Sequence, residues 1–152
     1  MIVPNSVPIL APVAVFLPLH KRWADLILCG EKTLEVRRKP PKLAPQYLVY
    51  IYETSGSGGC GMVVGEFMCE KVSEFVPRDG RYSTVLCDRA CLSVAETEKY
   101  GAGKTLYGLH ARDAVRYKAP LPLSAFSLCS GKTMERPPQN YCYVERRYNH
   151  DD

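Results

Sequence analysis

A chain of 152 residues with 46% hydrophobic and 24% charged residues makes one domain with a sizeable core, which excludes a disordered polymer. No stretch approaches the ~20 consecutive apolar residues that a membrane-spanning helix needs. The net charge of +4 is mildly basic, but residues 20–42 carry all of it and the rest of the chain sums to zero. That concentration points to an anionic partner such as RNA, DNA or phosphate, or else to a solvated face.

Residues 1–10 read as an extended, proline-punctuated lead-in. The apolar start resembles a signal peptide only superficially, because it lacks a basic n-region and is broken by Pro4, Pro8, Pro12 and Pro18. Val13 to Leu17 is a β-branched and aromatic run that reads as a buried strand. Leu19, Trp23, Leu26 and Ile27 recur at helical spacing, and Gly30 suits the left-handed position after a helix. In Thr33-Leu34-Glu35-Val36-Arg37 the apolar residues alternate with polar ones, as in a half-buried strand. Leu34 and Val36 are expected to face a core and Glu35 and Arg37 the other side, with Lys32 at the turn into the strand. Pro40-Pro41 ends it.

Tyr47 to Glu53 and Met62 to Cys69 are predicted to pair as an antiparallel hairpin around the loop Ser55 to Gly61. Val72, Phe75 and Val76 suggest a helical turn or irregular packing. A helix is expected from Leu92 to Tyr100, capped near Ser93 and stopped at Gly101-Ala102-Gly103. Thr105 to Tyr117 reads as a strand that bends near Gly108 or Asp113. Leu121 to Phe126 reads as an extended sheet edge. Arg136 to Asn140 is a rigid loop before a last strand, Tyr141 to Val144, that closes the sheet. Residues 148–152 form a frayed tail. Many short strands with two or three short helices define an α+β fold, a small mixed β-barrel. Residues 11–147 are one domain.

Seven cysteines without a Cys-x-x-Cys pair fit buried free thiols in a reducing, cytoplasmic setting. With three histidines they give little support for a four-ligand zinc site, and neither metal nor cofactor is expected. Gly101 to Thr105 and Gly131 to Thr133 fail as phosphate loops, since Glu98 and Phe126 stand where the first glycine belongs. No Ser-His-Asp or Cys-His arrangement stands out: His20 has acid–base potential, His110 sits in a predicted strand and His150 in the tail. Lys32, Glu35 and Arg37 therefore remain as the candidate site. Cations hold phosphate or polarise an oxygen, and a carboxylate accepts hydrogen bonds from a base or moves a proton. Tyr50 and Tyr52 offer either base-stacking surface or ordinary strand packing.

The spacing Gly30-x-Lys32-x-x-Glu35-x-Arg37, after the helix Trp23 to Gly30, resembles the ASCH domain, a relative of the PUA domain. Val64-Gly65-Glu66-Phe67 is similar to the family's next strand pair. Ala119 to Leu123 and Arg136 to Val144 resemble its phage- and prophage-type branch. The resemblance implies a PUA-like β-barrel that binds RNA or nucleotides in a basic cleft. Lys32 and Glu35 would contact base or ribose there, and Arg37, Arg38 and Lys39 would hold phosphate. It also implies an enzymatic alternative, hydrolysis of RNA or of an acylated nucleoside, with Glu35 and Lys32 catalytic. In the amide-hydrolase branch a threonine nucleophile stands three residues after the motif lysine. Glu35 occupies that position here, and Thr33 lies beside the lysine. A protein-interaction barrel with a solvated basic strand is the third reading.

Overall fold

A computed structural model describes residues 12–148; the expected lead-in over 1–10 and most of the expected tail over 148–152 lie outside them. The elements are β1 (Val13–Leu19), α1 (Lys21–Leu28), β2 (Leu34–Arg37), β3 (Tyr47–Glu53), β4 (Met62–Phe75), α2 (Thr84–Ala90), α3 (Val94–Gly101), β5 (Leu106–Leu121) and β6 (Cys142–Glu145), with one 3-10 turn at Leu123–Ala125. The six strands form one sheet in the order β2-β5-β4-β3-β1-β6. Parallel pairing of β1 with β3 is made possible by the α1–β2 crossover, and the hairpin β3–β4 is antiparallel as expected. The fold is thus α+β. The pairing has two ends, β2 and β6, so hydrogen bonding does not close the expected barrel. The last strand pairs with β1, and its other side takes a bridge from Leu128 to Val144 instead of β2.

Two cores lie on opposite faces of the central strands. Val15, Leu17, Val49 and Ile51 point to one, with Ala24 and Ile27 of α1 packed over them. Phe16, Leu48, Tyr50 and Tyr52 point to the other, against Phe126 and Met134. A strand buried on both faces carries apolar side chains in both parities, which is why β1 and β3 read as continuous hydrophobic runs. Tyr50 and Tyr52 are core residues, packed edge-on to Phe126 and tilted against Phe16 with ring centres 4.9 and 5.6 Å apart, so their rings offer no stacking surface for bases. A third cluster packs Leu86 and Ala90 of α2 onto Leu34, Val36 and Leu106.

Three segments depart from the sequence reading. Val72 and Phe75 belong to a strand, because β4 continues past Cys69 after a register shift against β5. That irregularity hides the alternation that would have marked the strand. Helix α2 was not anticipated; its seven residues are too few to show a helical period, though Ser83 accepts from Val85 N at its start. Strand β5 runs through Pro120 to Leu121, and the segment beyond it turns into the 3-10 helix instead of staying extended. The expected bend in β5 is present at Asp113, whose φ of 53° is left-handed and lies opposite a shift in the β4 register. Helix α3 is capped as expected, with Ser93 and Glu96 forming a reciprocal capping box. Among the described residues no helix is long and apolar enough to cross a membrane.

Burial raises the proton affinity of Tyr47, Tyr50 and Tyr117 above that of a free tyrosine, and the Tyr117 hydroxyl also donates to Glu66 at 2.6 Å. A group whose folded pKa is raised contributes its stability fully below the unfolded value and loses it as pH climbs further. The fold should therefore resist alkali up to pH ~10, where unfolded tyrosine ionises. Above that, phenolate absorbance and loss of circular dichroism should rise together. Phenolate appearing well before the loss of secondary structure would contradict this burial.

Candidate functional site

Three local features bring Lys32, Glu35 and Arg37 together. Cys29 and Gly30 end α1, Gly30 with a φ of +87°, and the chain reverses into β2. The Lys32 N–H donates to Leu26 O, the Thr33 N–H donates to Arg89 O of α2, and Thr33 O accepts from Ala111 N of β5. These bonds anchor the start of the strand. The strand's alternation then sends Leu34 into the α2 cluster and Glu35 and Arg37 to the opposite face, as the sequence predicts.

Glu35 lies between the two cations. Its Oε1 is 3.8 Å from Lys32 Nζ and its Oε2 is 3.2 Å from Arg37 Nη1. The expectation of a half-exposed strand is corrected here: Glu35 is 5% exposed and Lys32 3%, and only Arg37 is half-buried. Lys32 Nζ also donates to Ala90 O at 2.6 Å, at the C-terminus of α2, where backbone carbonyls lack intrahelical donors. It sits 5.0 Å from the centre of the Trp23 ring. Burial pushes the ammonium below the ordinary lysine range, while the Glu35 carboxylate pulls it back up. At the other end, the Arg37 guanidinium lies 5.8 Å from the centre of the Tyr141 ring. The hydroxyls of Tyr141 and Tyr143 fasten the following loop, the first donating to Lys39 O and the second accepting from Lys42 N.

The remaining sequence candidates divide. Arg38 turns to the other side of the strand, where its Nε donates to Tyr100 O at the end of α3 and its guanidinium covers the Tyr100 ring at 4.4 Å. Lys39 is exposed on the loop after Arg37. The structure therefore gathers Lys32, Glu35 and Arg37 but sets Arg38 apart. Neighbouring cations are paired, since Lys21 and Arg116 share Asp25 and Arg22 meets Glu96, but Arg116 and Glu96 cancel and the local net charge stays positive. His20 precedes α1 with Nδ1 3.2 Å from Thr54 Oγ1, and His110 Nε2 lies 2.8 Å from Ser73 Oγ; neither contacts the array. His150 lies outside the described residues. Among the described residues no cluster of histidine, cysteine and acidic side chains has the makings of a metal site.

Sequence reasoning missed Tyr141, the structural position of Trp23 and the Ala90 carbonyl. Trp23 was visible only as a member of a helical stripe. Tyr141 lies far along the chain in an aromatic pair, and a backbone carbonyl has no sequence signature.

Fold and site together define a small α+β domain with a buried cation–carboxylate–cation array on an edge strand, flanked by two aromatic rings. The ASCH domain profile matches residues 17–119, over half of the chain, and the chain belongs to that family. Among solved structures, the ASCH protein of Zymomonas mobilis is 24% identical with a TM-score of 0.67, covering 89% of this chain and 88% of that one. Two point variants of the Zymomonas protein are similar, at 24% and 23% identity with TM-scores of 0.64 and 0.65. Each variant match covers 89% of this chain, against 89% and 91% of theirs. At this identity the likeness establishes the fold. Comparison with curated proteins finds no match.

Proposed function

We propose that the domain binds RNA or a nucleotide, with the base or ribose at Lys32 and Glu35 and phosphate at Arg37 and Lys39; Arg38 would add to the field from the far side of the strand. The observation that carries this reading is the Lys32–Glu35–Arg37 array itself. Taking a lysine and a glutamate out of water costs several kcal/mol per ion before their attraction is counted, and apolar side chains of equal volume would serve a core as well. An array fixed at this cost, with each cation beside an aromatic ring, suits recognition of a polar planar ligand. The seven unpaired cysteines fit a reducing, cytoplasmic setting for such a domain.

The test is fluorescence anisotropy with labelled single-stranded RNA. Affinity should fall steeply between ~50 and ~200 mM salt, as counterions displaced by the protein return to the phosphates. Absence of binding to any RNA or nucleotide at low salt would sink the reading.

One observation favours the enzymatic alternative, hydrolysis of RNA or of an acylated nucleoside. A lysine whose proton affinity is lowered by burial, 3.8 Å from a carboxylate, is equipped to pass a proton or steady developing negative charge. Turnover of labelled RNA or acylated cytidine that Glu35→Gln leaves untouched would remove that residue from the mechanism.

A further inference from the structure

We infer that the array selects uracil among the nucleic acid bases, an inference that rests on the nucleotide-binding reading of the same site. Along the array the groups run donor, acceptor, donor: the Lys32 ammonium, the Glu35 carboxylate and the Arg37 guanidinium. An ammonium and a guanidinium only donate, and a carboxylate flanked by cations accepts. The complement is an edge that reads acceptor, donor, acceptor. The Watson–Crick edge of uracil has this order, with O2, N3–H and O4 in sequence. Cytosine places the bare N3 against the carboxylate and its amino group against a cation. Guanine places its amino group against a cation, and adenine sets the bare N1 against the carboxylate. Each of those bases leaves at least one like-for-like contact, and a buried polar group left unmatched is expensive.

The array has bonding capacity to spare. The ammonium has three protons, of which one goes to Ala90 O and one points to Glu35. The guanidinium has five N–H groups, of which Nη1 gives one to Glu35 Oε2, so it can donate to a base carbonyl and still reach the phosphate proposed for it. Each carboxylate oxygen has one cation contact and two lone pairs. Both cations are held in place, Lys32 by the end of α2 and Arg37 by Glu35 beside the Tyr141 ring, so the order of donors and acceptor is fixed before a ligand arrives. The half-buried rings of Trp23 and Tyr141 mark the two ends of the array, and the Arg22 guanidinium also lies 4.2 Å from the centre of the Trp23 ring.

Binding of single-stranded oligomers of rU, rC, rA and rG to the whole protein tests this, with two further arms. Oligo-dT carries the same edge on deoxyribose and separates a base preference from a ribose preference. Oligo-rU methylated at N3 keeps both carbonyls but lacks the central donor. The expected result is a preference for rU of ~10-fold or more over the other three, shared in whole or part by dT and abolished by N3 methylation. Glu35→Ala should lose the preference for rU, and if that variant does not fold, the methylated oligomer decides on the native protein. Equal affinity for the four bases, or indifference to N3 methylation, would overturn the assignment while RNA binding itself survives. Failure to bind any oligomer would remove the nucleotide-binding reading and this assignment together.

Discussion

Replacing Lys32 by methionine is expected to cost the fold about 3–5 kcal/mol, the usual penalty for breaking a buried ion pair from one side. Methionine fills similar space and removes the charge that burial disfavours. It also takes the donor from Ala90 O and leaves the 5%-exposed Glu35 with Arg37 as its single cation. Glu35→Gln should be costly for the converse reason, since two cations then lose the charge that lies between them. Because the two losses share one array, the double variant Lys32→Met/Glu35→Gln should lose less than the sum of the singles, as neutral isosteres of a buried pair do. Urea unfolding of the four proteins measures this directly. Strict additivity would mean that Lys32 and Glu35 do not act as a unit.

The pH dependence of the same residue has a definite sign. Burial depresses the folded pKa of Lys32, so folded protein releases this proton before the unfolded chain does at pH ~10.4. Below the folded value Lys32 is charged in both states and its desolvation cost is fully present. As pH rises through the folded value the unfolded state holds more protons, and the residue's contribution to stability grows. The buried tyrosines pull in the opposite direction above pH ~10. A shallow gain on the alkaline side followed by a steep loss is the combined expectation.

Much of this architecture can be read from the residues, and the failures have local causes. β1, β3 and the β2 alternation are legible because their side-chain chemistry repeats at the period of the strand. The cap of α3 is legible because Ser93 and Glu96 are three positions apart, the spacing the reciprocal bonds require. The far half of β4 is not, since register shifts take Glu70 to Phe75 out of phase with the rest of the strand. The charge concentration in residues 20–42 persists in space: Asp25 belongs to that stretch already, and Glu96 beside Arg22 is offset by Arg116 beside Asp25. The motif's spacing places Glu35 and Arg37 on one face. It cannot disclose that the strand is buried on both faces, because that depends on α2 covering Leu34 and Val36 and on Trp23 and Tyr141 lying beside Lys32 and Arg37.

Arg37→Ala should weaken RNA binding by ~10- to 100-fold, the range for losing a charge-assisted hydrogen bond of about 1.5–3 kcal/mol, and should lower the salt slope by close to one phosphate contact. Arg38→Ala differs by one position and has a different expected outcome. The Arg38 guanidinium is committed to the Tyr100 carbonyl and ring on the other side of β2. Its loss should remove a cation from the end of α3, cost up to about 1 kcal/mol of stability and change RNA affinity by a smaller factor. Lys39→Ala isolates the phosphate contribution, because the exposed Lys39 is no member of the Lys32–Glu35–Arg37 array. It should reduce the salt slope without disturbing base preference. Anisotropy titrations of the three variants across a salt series separate these contributions. Equal losses from Arg37→Ala and Arg38→Ala would mean that a diffuse positive field, and not the array on one face of β2, holds the nucleic acid.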